Sequence, residues 1–152
     1  MEQKQGEFNS EKKISTDVAV KEVISFLTKK SPKLSRRGHF SEEKVKVEYI
    51  DLIEYVEDGL ISFDDNFHPT LTLRNPIFGD SENEKNIVRK ISFKSRVKAA
   101  DKTRVMNGID IEKRKGDYIL SLISFLCGLN KAEVNDLESD DYDVINQICS
   151  VF

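Results

Sequence analysis

The chain has 152 residues, of which 38% are hydrophobic and 34% charged, and its formal net charge is −3. That length suits one domain with its own core, while the charged fraction exceeds the ~25% of an average globular chain. The balance argues against a uniformly basic nucleic-acid binder, and no apolar run approaches the ~20 residues of a membrane-spanning helix.

Met1 to Thr16 is polar throughout, with Phe8 and Ile14 isolated. Such a stretch buries too little apolar area to offset ordering, so residues 1–16 are expected to form a flexible tail with no signal peptide. In "DVAVKEVISFLTKK", Val20, Val23, Ile24 and Leu27 recur at helical spacing. Asp17 is the expected N-cap, the closing lysines suit the helix dipole, and Ser31-Pro32 stops the run. "SPKLSRRGHF" reads as a basic loop. From Ser41 to Gly59 the start is ambiguous, since Val45, Val47 and Tyr49 alternate like a strand, but Val45, Tyr49, Leu52, Ile53 and Val56 keep helical spacing over a longer window and favour one helix, with Ser41 as N-cap and Gly59 just past the end.

The pattern then changes. Leu71 and Leu73 alternate with Thr70, Thr72 and Arg74, the period of a half-buried strand. Pro69 and Pro76 bracket it, which predicts a short or edge strand. "GDSENEKN" is the turn, and Ile91 and Phe93 then alternate with Lys90, Ser92 and Lys94. "KAADKTRVMNG" is a helix ending at Asn107-Gly108, and "IDIEKRKG" is a charged connector. "DYILSLISFLC" is apolar nearly all round, with Asp117, Ser121 and Ser124 as a narrow polar stripe, so burial or cover by a partner is expected. Asn130 and Glu133 have capping-box spacing. Ser139 or Asp140 is expected to cap the last helix, where Ile145, Ile148, Cys149 and Phe152 share a face.

The fold class predicted is α+β and mainly helical. A central β-hairpin over about 70–95 is followed by a C-terminal bundle of three to four helices and preceded by N-terminal helices. Residues 17–63 form a helical extension and 64–152 the main domain, with no linker dividing the chain into independent units.

Residue types that carry chemistry are sparse. There is no GxGxxG, no phosphate loop and no HExxH. His68 near Asp64 and Asp65 is a weak metal candidate, better read as a solvated loop. Cys127 and Cys149 are the only cysteines and lack CxxC spacing; both sit among apolar residues and are read as reduced core thiols. No catalytic group, cofactor or metal is expected.

Charge is unevenly spread. Residues 85–115 hold eleven Lys/Arg against Asp101, Asp110 and Glu112, whereas residues 131–152 hold six acids and one Lys. A DNA-binding helix carrying Asp140, Asp141 and Asp143 would repel phosphates, so no nucleic acid is expected as a partner. The apolar helix offers a protein-binding face instead.

The second half of the chain resembles the tail assembly chaperones of contractile-tailed bacteriophages. The likeness lies in "LTLRNPI", a turn, "VRKISFKSRVKAADKTRV", "YILSLISFLCGL" and "VNDLESDDYDVINQICSVF", covering about residues 70–152. Its matching positions are Leu71, Leu73, Pro76, Arg96, Ala100, Asp101, Gly128, Leu129, Leu137, Asp141 and Tyr142. Residues before about Asp64 depart from the pattern. The resemblance implies a nonenzymatic chaperone in the cytoplasm of the bacterial host. It would bind the tape measure protein, keep it soluble and promote tail tube assembly, and be absent from the mature virion. The tail tube protein and further copies of the chain are its other expected partners. Ile119, Leu122, Ile123, Phe125, Leu126, Ile148 and Phe152 are the candidate protein-binding residues. A helical DNA-binding regulator and a small structural tail or baseplate protein are the alternatives.

Overall fold

The computed structural model describes residues 13–78, 87–110 and 112–152. Among them are eight helices and one antiparallel sheet of three strands in the order β1-β2-β3, an α+β fold. Helix α1 (Thr16–Lys30) turns Ala19, Val20, Val23, Phe26 and Leu27 into the core. Its N-cap is Ser15 rather than Asp17: the Ser15 hydroxyl accepts from the Val18 N–H at 3.4 Å, and Asp17 lies inside the first turn. The chain is already anchored before the helix, since the N–H groups of Lys13 and Ile14 donate to the Glu57 carbonyl at 2.8 and 3.3 Å. The expected flexible tail therefore does not extend to residue 16, and residues 1–12 of it lie outside the described residues.

The expected basic loop contains a short helix, α2 (Pro32–Arg36), which Pro32 opens. Proline suits a first turn, where its missing N–H costs no hydrogen bond. The single helix expected over 41–59 is two, α3 (Glu42–Glu48) and α4 (Ile50–Glu57), broken at Tyr49. The bend turns Leu52, Ile53, Tyr55 and Val56 together towards the core and leaves Val47 and Ile50 exposed. Tyr49 packs edge-on against Phe40, with ring centres 6.4 Å apart. Ser41 caps α3 as expected, its hydroxyl accepting from Lys44 N–H.

Gly59 follows α4 with φ +70°, and a Cβ there would stand 2.6 Å from the Lys13 side chain. The lysine stem can yield, but the left-handed backbone cannot. Gly59→Ala is expected to lower unfolding stability by about 1–2 kcal/mol, measured as a shifted urea midpoint with unchanged slope.

Strand β1 (Ile61–Phe63) pairs with β2 (Pro69–Phe78), which pairs with β3 (Ile87–Ser92). Strand β2 is central and runs through both prolines, unlike the short or edge strand expected. Pro69 is its first residue. Pro76 lies in an irregular stretch, where β2 advances five residues from Thr72 to Ile77 while β3 retreats two, from Lys90 to Val88. A proline is tolerated there because the ladder does not use its missing N–H. The expected turn, residues 79–86, is outside the described part of the chain.

Four helices follow: α5 (Ala99–Met106), α6 (Lys115–Cys127), α7 (Lys131–Asn135) and α8 (Ser139–Cys149). Gly128 ends α6 in a left-handed conformation, and Asn130 and Glu133 form the expected capping box. The N-cap of α8 is Glu138, whose side chain makes no capping bond; Ser139 and Asp140 lie within the first turn.

The two stretches distinguished by sequence, 17–63 and 64–152, share one hydrophobic core. Strand β1 pairs with β2 across that boundary. Leu52 N–H also donates to Gln147 Oε1 at 3.0 Å, joining α4 to α8. Among the described residues, no helix is long and apolar enough to cross a membrane.

Candidate functional site

Asp141 is fully buried in the first turn of α8. Its Oδ1 accepts from the Tyr55 hydroxyl at 2.8 Å and the Arg74 N–H at 3.0 Å, and its Oδ2 accepts from the Asn75 N–H at 3.0 Å. The irregular stretch of β2 frees those two N–H groups from the ladder, and the carboxylate takes them up. Burial, then the bond to Asp141, pushes the Tyr55 hydroxyl well above its ordinary pKa. The Arg74 guanidinium stands 4.6 Å from the centre of the Tyr55 ring and pairs with Asp58. Two parts of the pattern that carried the resemblance, "LTLRNP" and "DDYD", thus meet in space.

This role for Asp141 was missed in the sequence, although a signal was present. Asp141, Val144, Ile145 and Ile148 fall at i, i+3, i+4 and i+7, and all four are buried. An acid on the apolar face of a helix requires donors.

Asp64, His68 and the two cysteines are held by their neighbours. Asp64 Oδ1 accepts from the N–H groups of Asn66 and His68 at 2.8 and 2.9 Å, and these bonds, that of His68 foremost, hold its carboxyl below the usual pKa. His68 Nδ1 lies 3.4 Å from the same carboxylate. Among the described residues no group of three or more His, Cys, Asp or Glu is placed to hold a metal ion. Cys127 and Cys149 are buried free thiols. The hydrogen bond to Cys127, and then burial, pushes the Cys149 thiol far up, so it stays protonated.

The predicted binding residues divide into two groups. Ile123 is 1% exposed, and Leu126 and Ile148 are 0% exposed, so these three belong to the core and offer nothing to a partner. Ile119, Leu122, Phe125 and Phe152 remain half-buried at its margin. The cause lies in how α6 is seated. Its buried residues are Ile123, Leu126 and Cys127, all in the second half of the helix. Tyr118, Ile119, Leu120 and Leu122 precede or flank them without full burial, so the expected deep burial of α6 holds only for its C-terminal half. Helix α5, which packs on α6, has no buried residue of its own.

Lys94, absent from the sequence prediction, is part of this margin. Its ammonium lies 3.7 Å from the centre of the Phe125 ring, and its N–H donates to the Leu126 carbonyl at 3.0 Å. The pair fixes the end of β3 to the end of α6 and leaves an apolar strip with a cation over it. Such a strip can take an amphipathic helix with acids along its border.

No family model, curated protein or solved structure matches the chain.

Proposed function

We propose that the protein is a tail assembly chaperone, binding the tape measure protein of a contractile-tailed phage and keeping it soluble while the tail tube assembles. The observation that carries this reading is the half-buried apolar strip of Ile119, Leu122 and Phe125 on α6, bordered by Lys94. A long helical client would aggregate through its own apolar stripe, and reversible cover of that stripe needs a partly open apolar surface. Many copies along one client supply avidity without tight single contacts. The meeting of "LTLRNP" and "DDYD" at Asp141 also supports the reading, because it gives the resemblance a common structural purpose.

Co-expression with the tape measure protein of the same genome tests it. The expected result is a soluble client that co-purifies with this chain. A client that stays insoluble beside a well-folded partner would overturn it.

A further inference from the structure

Two basic stretches distant in sequence meet at the C-terminal end of α1. Residues 29–37 carry Lys29, Lys30, Lys33, Arg36 and Arg37 without an acid, and residues 94–98 carry Lys94, Arg96 and Lys98 without an acid. Lys30 joins them, donating to the Ser95 carbonyl at 3.1 Å while standing 5.0 Å from the centre of the Phe152 ring. Here opens a cleft of about 500 Å³ lined by Lys29, Lys30, Asn66, His68, Ser95 and Arg96, with no carboxylate in its wall. Asp64 attracts Lys30 from nearby, with its Oδ1 taken up by the Asn66 and His68 N–H groups and its Oδ2 3.4 Å from His68 Nδ1. Among the described residues, neither Lys29 nor Arg96 has an ion-pair partner, and both are exposed.

The counter-charge is carried by the same chain at another place. Asp136, Glu138, Asp140 and Asp143 are exposed where α7 leads into α8, and among the described residues they too lack ion-pair partners. Asp136, Glu138 and Asp140 stand at the start of α8, whereas the cleft lies by the end that leads to Phe152. Helix α8 has 11 residues and so rises about 16 Å from its acidic start to the end that leads to Phe152. That is about twice the screening length of roughly 8 Å at physiological salt. A molecule with unpaired positive charge at one end of a helix and unpaired negative charge at the other has ends that are complementary head to tail. Such a contact is heterologous and repeats along a line or around a ring.

We propose that the cleft is the receiving half of a head-to-tail contact, in which Asp136, Glu138 and Asp140 of a second copy settle against Lys29 and Arg96. Phosphates would also suit these cations, but the net charge of −3 and the acidic end of each molecule repel a long polyanion. The contact is independent of the chaperone reading, though a row of copies would match a long client.

Sedimentation of the full chain across a salt series tests the proposal. Wild type is expected to self-associate, with about tenfold weaker association at high salt than at low salt. A variant carrying Lys29→Glu and Arg96→Glu should be monomeric, as should one carrying Asp136→Lys and Asp140→Lys. Mixing the two should restore association, because each retains the half that the other has lost. All four positions are exposed, and unchanged circular dichroism would show that the variants are folded. A wild type that stays monomeric at low salt, variants that associate like wild type, or a mixture that stays monomeric would each overturn the proposal. So would wild type that binds a short DNA duplex through Lys29 and Arg96 without self-associating.

Discussion

Asp141→Ala is expected to lower the stability of the fold by about 3–5 kcal/mol. Three donors lose their acceptor at once: the Tyr55 hydroxyl and the N–H groups of Arg74 and Asn75. A buried donor left without a partner costs about 1–3 kcal/mol. The two backbone groups are only partly buried, so water recovers some of the loss and the total stays below the simple sum. A domain with only about 5–15 kcal/mol of net stability loses a large fraction of it. Asp141→Asn should cost less, about 2 kcal/mol, since its one carbonyl oxygen can still accept while its amide faces an N–H. Tyr55→Phe should cost about 1 kcal/mol, because it removes one donor and leaves the two backbone bonds in place. Urea unfolding of the three variants gives the order directly. Equal losses for Asn and Ala would mean that the carboxylate charge, rather than the count of acceptors, holds the irregular strand.

That ordering also explains which parts of the fold were legible beforehand. Helical periodicity placed α1, α6 and α8, because each needs only residues three and four apart on one face. The same arithmetic puts Asp141 on the buried face of α8, yet it could not name Arg74 and Asn75, which lie 67 and 66 residues away. The central position of β2 was hidden for a related reason. Two prolines argue for an edge only if the ladder needs their N–H groups, and the irregular stretch that spares Pro76 is held from another element. The break at Tyr49 was hidden because α3 and α4 each keep helical spacing, and the bend is set by burial of Leu52, Ile53, Tyr55 and Val56 against α1 and α8.

The candidate binding face was legible in its residue types but not in its exposure. An apolar helix reads the same whether one side or all sides are covered. Only packing separates Leu126, fully buried, from Phe125, half-buried beneath Lys94. The cationic cleft was less legible still. Charge counting found a basic run over residues 85–115, whereas the cleft takes Arg96 from that run and Lys29 and Lys30 from α1.

The contrast on α6 between fully buried and half-buried residues leads to the second large effect. Replacing Ile119, Leu122 and Phe125 together with Ala is expected to abolish co-purification of the client while the chain remains folded. These residues are half-buried at the margin of the core, so the three truncations together cost about as much stability as one or two fully buried side chains, and the variants are compared where all of them are folded. Leu126→Ala is expected to do the opposite. It empties a fully buried site and costs about 2–5 kcal/mol, but leaves the outer strip in place. At a temperature where both variants are still folded, the client should remain soluble with Leu126→Ala and precipitate with the triple variant. Lys94→Ala belongs with the outer set, since it removes the cation above Phe125 and so should weaken client binding without a comparable loss of stability. If client solubility instead follows the measured stability of the variants, so that Leu126→Ala fails wherever the triple change of equal stability fails, the strip is simply the edge of the core and the client is held elsewhere. If it follows the half-buried residues regardless of stability, they form the surface on which the client lies.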